Sequence, residues 1–323
     1  MDLDLERLAD RMHVVSLPLV TRFRGVEHRE VALLSGPSGW GEWSPFLEYG
    51  PVEAARWLHA ALEDADVERP ALVRERIPVN ATLPAVAPEA VAGVLARYDG
   101  CRTVKVKVAE RGQTLEDDVA RVAEVRALLP DARIRLDANG GWNLDEAETA
   151  IRALERFDLE YVEQPCATVP ELVELRLRVH RLAIPIAADE SVRKAEDPLL
   201  VARAGAADVL VIKAQPLGGI RAALAIVAEA GLPAVVSSAL DSSVGLSLGA
   251  ALAGALPSLP FDCGLGTGAL LEADVTPSPL VPAGGEIDAA RVTPDPALLA
   301  AHAASPERVD HWRTRLAATL PHL

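Results

Sequence analysis

From residue 79 onward, short apolar runs alternate with longer segments in which apolar residues recur every three or four positions. Switching between these two periods is the mark of successive βα units, whose parallel sheet hides both faces beneath helices. Strands are expected at 79–83, 103–108, 133–138, 160–164, 184–188, 209–213, 234–238 and 261–265. Eight such units predict an α/β fold built on a closed, TIM-like (β/α) barrel rather than an open doubly wound sheet. Helices over 114–129 and 144–157 carry their own start signals. Thr114 with Asp117, and Asn143 with Glu146, each place a capping side chain three residues before an acid.

Residues 1–78 read differently. Alternation over 30–34, a glycine turn before Trp40-Gly41-Glu42-Trp43 and a helical pattern near 52–62 predict a separate α+β domain. Gly36, Gly39 and Gly41 approach a nucleotide-binding pattern, but Pro37 and Trp40 interrupt it and no helix follows at once, so the segment reads as a turn. Beyond residue 270 the chain is rich in Pro and Gly and then helical near 306–316, a tail expected to return to the first domain. The chain thus divides at 1–78, 79–270 and 271–323.

At 323 residues, half of them apolar, the chain has room for a barrel of roughly 200 to 250 residues and a smaller domain. The formal net charge of −15 disfavours nucleic acid and anionic membranes as partners and favours a small-molecule ligand. Cys101, Cys166 and Cys263 form neither a CxxC motif nor an even disulfide framework. The beginning, Met1-Asp2-Leu3-Asp4-Leu5-Glu6, is acidic where a secretory signal is basic and then apolar. The apolar stretch at 246–256 is well short of the roughly 20 residues that span a bilayer. A cytoplasmic, reducing setting without a membrane segment is expected, and nothing in the pattern specifies an oligomeric state.

Side chains at the carboxyl ends of barrel strands share one cavity, so polar residues there call for an explanation other than packing. Lys105 and Lys107 stand on the second strand, Asp137, Glu163 and Asp189 end the third to fifth, and Lys213 ends the sixth. Taken singly, each has a plainer reading: an edge strand for the lysine pair, a turn at Asp137 before Asn139-Gly140-Gly141, a loop acid at Glu163, a helix cap at Asp189. Their recurrence at strand ends, with the acids spaced evenly at 26 residues, argues for one site in which all three carboxylates sit at matching height. Three converging carboxylates need a cation, and all-oxygen ligation favours a hard ion, Mg²⁺ before Mn²⁺ or Ca²⁺. Residues two apart share a strand face, so Lys105 and Lys107 both face the cavity. Crowding with another ammonium and a dication depresses a lysine, which makes Lys107 the candidate general base and acid and leaves Lys105 an electrostatic role. Lys213 reaches the opposite side of whatever is bound.

The set Lys105-Val106-Lys107, Asp137-Ala138-Asn139, Glu163-Gln164-Pro165, Asp189-Glu190-Ser191 and Lys213 resembles the enolase superfamily, in its muconate-cycloisomerase-like branch. Arg22-Phe23-Arg24-Gly25 and Gly39-Trp40-Gly41-Glu42 are similar to the loop and turn of that family's capping domain. The resemblance implies that Asp137, Glu163 and Asp189 ligate Mg²⁺, supported by Asn139 and Glu190, and that Lys107 and Lys213 flank a small carboxylate substrate. It also assigns the first domain, with part of the tail, to capping.

Dipeptide epimerases of the branch usually carry Asp-x-Asp near the eighth strand, which Phe261-Asp262-Cys263-Gly264-Leu265-Gly266 lacks. The segment from Ser237 to Gly245 resembles that of members which eliminate water from 2-succinyl-6-hydroxy-2,4-cyclohexadiene-1-carboxylate on the route to menaquinone. Its helix-start amides are expected to hold an anion, with Ser238, Ser242, Gly264 and Arg22 as substrate contacts and Asp241 turned away or capping a helix. N-acylamino-acid racemisation and muconate-type cycloisomerisation use the same proton abstraction and stand as alternatives. A Schiff-base aldolase acting through Lys213 is a more distant one.

Overall fold

The computed structural model describes residues 4–23, 25–193 and 198–323 of the chain, so Met1 to Leu3 of the acidic beginning and Arg24 of the capping-loop motif lie outside the described residues. The first domain is an antiparallel sheet of β1 (Met12–Phe23), β2 (Val26–Gly36) and β3 (Gly39–Trp43). β2 and β3 close on each other with Gly36 opposite Gly39, so the glycine segment is a hairpin turn, as its interrupted pattern suggests. The helix Pro51–Asp66 lies against this sheet so closely that a Cβ at Gly41 would sit 2.0 Å from the Ala61 carbonyl oxygen. Only glycine permits that approach.

The tail packs against the first sheet. Trp312, in the helix Pro306–Thr319, packs edge-on against Trp43 with ring centres 5.2 Å apart and donates to Glu30 Oε2 at 2.9 Å. Another part of the tail pairs elsewhere: β4 (Arg76–Pro78) runs antiparallel to β12 (Glu286–Asp288).

Between these lie β5 (Ala81–Leu83), β6 (Thr103–Lys107), β7 (Arg133–Asp137), β8 (Leu159–Glu163), β9 (Ile186–Ala188), β10 (Val209–Ile212) and β11 (Ala234–Val236). Among the described residues these seven form one parallel sheet in sequence order. The expected eighth strand shrinks to two bridges, Cys263 to Val79 and Gly264 to Ser237. Cys263 N donates to Pro78 O at 2.7 Å and Gly264 N to Val236 O at 2.8 Å, so this short segment joins both sheet edges. Gly264 and Gly266 supply no side chains to prolong a strand, and Asp262 turns its carboxylate to Thr103 Oγ1 at 2.6 Å. Both capping boxes form, at Thr114 and Asn143. The apolar stretch at 246–256 belongs largely to the buried helix Ser243–Ala255, and among the described residues no helix is long and apolar enough to cross a membrane.

Inside the curled sheet, Tyr161, Ala187, Val209, Val211 and Val235 pack with Phe261. The fully buried Arg135 lies there too, its guanidinium 4.8 Å from the Tyr161 ring centre. A register shift between β7 and β8 sets Glu160 out of step, and Glu160 Oε2 accepts from Arg135 Nε at 2.5 Å. Arg135 Nη1 donates to Asn80 Oδ1 and the Asp262 carbonyl. A buried cation needs such partners, and the apolar strand pattern did not foretell it.

Candidate active site

Strand register sets the height of the charged side chains. Lys107 is paired with Asp137 and Asp137 with Glu163, so all three leave the strand ends at one level. Glu163 is paired with Ala187, which puts Asp189 two residues further along its ladder. Even spacing in sequence therefore yields matching height for the first two acids only, the third following the stagger of a closing sheet.

Lys105, Lys107, Asp137, Asp189 and Lys213 line one cavity with Asn139 and Glu190, beneath Phe23 of β1. Phe23 lies with its ring centre 5.8 Å from Lys107 Nζ. Lys105 and Lys107 share a face, as alternation requires. Lys107 Nζ is 2.6 Å from Asp137 Oδ2 and also donates to Asn139 Oδ1. Lys105 Nζ is 3.1 Å from both Asp137 Oδ2 and Glu163 Oε1. Lys213 pairs with Asp189 from the other side. Glu163 lies below the cavity lining, covered by Lys105.

The expected ring of three carboxylates is thus interleaved with ammonium groups. Among the described residues no trio of carboxylate, imidazole or thiolate groups stands close enough to surround a metal ion. The electrostatics follow the pairing. Burial pushes the Asp137 carboxyl up, but Lys107 and Lys105 outweigh it and hold it well below the usual range. Burial, then the Asp137 charge, pushes Glu163 up to about 7. Burial depresses Lys105, yet Glu163 and Asp137 carry it well above an ordinary lysine. The mutual depression expected of the lysine pair does not arise for Lys105, because the acids beside it dominate. Asp137, Glu163 and Asp189 are hard oxygen donors of the kind that takes a small divalent cation, but here the ammonium groups, not a common centre, balance their charge.

Gln164, not singled out in the sequence, orients the next acid: its Oε1 accepts from Asp189 N at 3.0 Å and Ser191 N at 3.1 Å. Its place between Glu163 and Pro165 was the available signal. Asn139 Nδ2 donates to Glu190 Oε1 at 3.2 Å, so these two residues meet at the rim.

The segment after β11 departs from expectation. Ser238 and Gly264 line the cavity, and Ser238 Oγ lies 2.6 Å from Thr267 Oγ1. Ser242 does not line it: its hydroxyl donates to Glu42 Oε2, which also accepts from Ser242 N at 3.1 Å and Gly245 N at 3.0 Å. Asp274 takes Ser243 N. The helix-start amides expected to hold a substrate anion are therefore filled by the protein's own carboxylates, and Ser242 is a cap. Asp241 turns from the cavity, accepting from Gln215 Nε2 at 2.9 Å and Ala239 N at 3.2 Å. Burial, then repulsion from Asp241, pushes Glu42 up to about 7. Arg22 lies at the outer mouth with Glu48 and Lys107, away from the inner cavity.

Residues 89–295 match the family model described as enolase C-terminal domain-like, and residues 14–65 match the enolase N-terminal domain-like model. The chain belongs to the enolase superfamily. It is 56% identical over 320 residues to the o-succinylbenzoate synthase of Mycobacterium marinum, covering 99% of this chain and 96% of that protein. Over 315 residues it is 55% identical to the o-succinylbenzoate synthase of Mycobacterium tuberculosis, covering 97% and 95%. Among solved structures, the muconate lactonizing enzyme from Pseudomonas putida superposes with a TM-score of 0.77 at 22% identity, covering 91% of this chain and 98% of the other. That from Pseudomonas fluorescens, complexed with muconolactone, gives 0.78 at 22%, with the same coverage. At such identity the structural likeness speaks to the fold alone.

Proposed function

We propose that this chain catalyses Mg²⁺-dependent syn elimination of water from 2-succinyl-6-hydroxy-2,4-cyclohexadiene-1-carboxylate, giving o-succinylbenzoate for menaquinone biosynthesis. The observation that carries this reading is identity of 55% or more, over nearly the whole chain, to proteins named for that product.

In this reading Asp137, Glu163 and Asp189 hold Mg²⁺, or Mn²⁺ in its place, with Asn139 and Glu190 bracing the site. The cation, when bound, supplies positive charge to the ring carboxylate and so makes the adjacent C–H more acidic. With Asp137 otherwise engaged, Lys107 is released to act as an amine. It takes the proton from the carbon bearing the carboxylate. The resulting ammonium then protonates the departing hydroxyl, the C–O bond breaks, and water leaves as the ring becomes aromatic. Lys105 adds positive charge from below. Lys213 stands across the cavity and stabilises charge over the ring, while Ser238 and Gly264 lie along the substrate and Arg22 guards the mouth.

The position of Lys213 also favours a second reading, N-acylamino-acid racemisation, because exchange on two faces needs two lysines. Deuterium entering the α-carbon of a recovered N-acyl amino acid in D₂O supports it. Lys213 shares its cavity with Lys105, Lys107, Asp137 and Asp189, a set of charges for which a Schiff-base aldolase has no use. The joined sheet edges support a barrel over 79–270, capped by 1–78 with part of 271–323. Three free cysteines suit a cytoplasmic setting. The direct test is formation of o-succinylbenzoate by the purified protein, present with Mg²⁺ and lost on chelation. No product under either condition contradicts the reading.

A further inference from the structure

The carbonyls of the turn that follows β11 are gripped from outside the cavity by Arg29 of the capping sheet. Arg29, on β2, is buried and does not line the cavity. Its Nε donates to the Leu240 carbonyl at 3.0 Å and its Nη2 to the Ala239 carbonyl at 3.3 Å, while Nη2 also donates to Ser44 O. The guanidinium is fixed in turn over the Phe46 ring, 4.3 Å from its centre. Among the described residues every peptide bond is trans, and in a trans peptide the N–H points opposite to the C=O of the preceding residue. The amides of Leu240 and Asp241 therefore point away from Arg29. Neither has an acceptor among the described residues, although both residues are buried. Buried amides normally find a partner, and Ala239 and Leu240 line the cavity. Leu240 has φ +62°, a left-handed conformation unusual for a branched side chain and suited to aiming successive amides at one anion.

We propose that Arg29 is a positioning residue for the substrate's second carboxylate: by locking the Ala239 and Leu240 carbonyls toward the capping sheet, it presents the Leu240 and Asp241 amides as a two-pronged anion seat. The proposal rests on the dicarboxylate substrate of the preceding section. It replaces the helix-start amides, which Glu42 and Asp274 occupy.

The test compares two ligands by calorimetry on the Mg²⁺-loaded protein. They are o-succinylbenzoate and 2-butyrylbenzoate, which has the same skeleton with a methyl group in place of the terminal carboxylate. Arg29→Met is expected to weaken o-succinylbenzoate about tenfold or more, as for loss of hydrogen bonds to a charged group, and 2-butyrylbenzoate less than about twofold. Arg29→Lys keeps the charge but not the fork and is expected to show the same selectivity at smaller amplitude, so it decides the matter if the methionine variant does not fold. Equal weakening of both ligands, or of neither, overturns the seat. A wild-type protein that binds neither ligand contradicts the proposed reaction itself.

Discussion

Lys107 Nζ stands 2.6 Å from Asp137 Oδ2, the same oxygen that Lys105 Nζ approaches at 3.1 Å. One carboxylate oxygen thus holds both lysines of β6, so whatever engages Asp137 from the cavity competes with both for it.

Metal affinity is expected to depend on pH through Glu163. Its carboxyl is pushed up to about 7, so cation binding near neutrality must displace a proton. Mg²⁺ affinity, titrated by calorimetry, should rise between pH 6 and pH 8, with about one proton released at the lower end and less at the upper. A flat affinity over that range would contradict the role given to Glu163.

Glu42 gives a stability effect of the same kind at the junction of the capping sheet and the substrate turn. Its folded pKa of about 7 lies above the ordinary 4.5, so its contribution is fully present below about pH 4.5 and is lost as pH rises through 7. Glu42→Gln does not titrate. The variant should lose less stability than the wild type between pH 5 and pH 8, by on the order of 1–3 kcal/mol, in denaturant titrations at both pH values. Parallel pH curves for the two proteins would count against the buried acid pair.

A Cβ at Gly264 would lie 2.5 Å from Ser237 Oγ and 3.1 Å from Ser237 Cβ. Gly264→Ala must turn the Ser237 hydroxyl aside and tighten the contact with its Cβ, at a cost of about 1–3 kcal/mol as overpacking does. KM for the cyclohexadiene substrate should rise as Ser238 shifts. A variant with wild-type melting temperature and KM would show that this wall tolerates displacement.

Arg135 is the counterpart within the curled sheet. Arg135→Met leaves Glu160 without its buried partner and should destabilise the protein by about 3–5 kcal/mol, whereas Arg135→Met with Glu160→Gln should recover part of the loss. Denaturant midpoints of the two variants provide the comparison, and equal midpoints would remove the ion pair from the account.

Much of this was legible in the sequence for physical reasons. The acids and lysines at strand ends stood out because apolar strands leave no packing reason for them, and parallel register then carried Lys107, Asp137 and Glu163 to one level. The capping boxes at Thr114 and Asn143 are local and formed as read. What sequence could not supply was competition between distant groups. The helix-start amides near Ser242 suited an anion, but a residue 200 positions away, Glu42, reached them first. Arg135 was hidden because its partner Glu160 faces it only through a register shift. The eighth strand was overextended because its glycines permit close contact while contributing little pairing.

The central claim is that Lys107 moves the proton in both directions. The most direct measurement is single-turnover conversion of 2-succinyl-6-hydroxy-2,4-cyclohexadiene-1-carboxylate by the wild type and by Lys107→Ala, each saturated with Mg²⁺ and each checked for an unchanged melting temperature. The account predicts o-succinylbenzoate from the wild type and a loss of at least about a hundredfold to ten-thousandfold in the variant. Turnover by a folded Lys107→Ala within tenfold of wild type would contradict it.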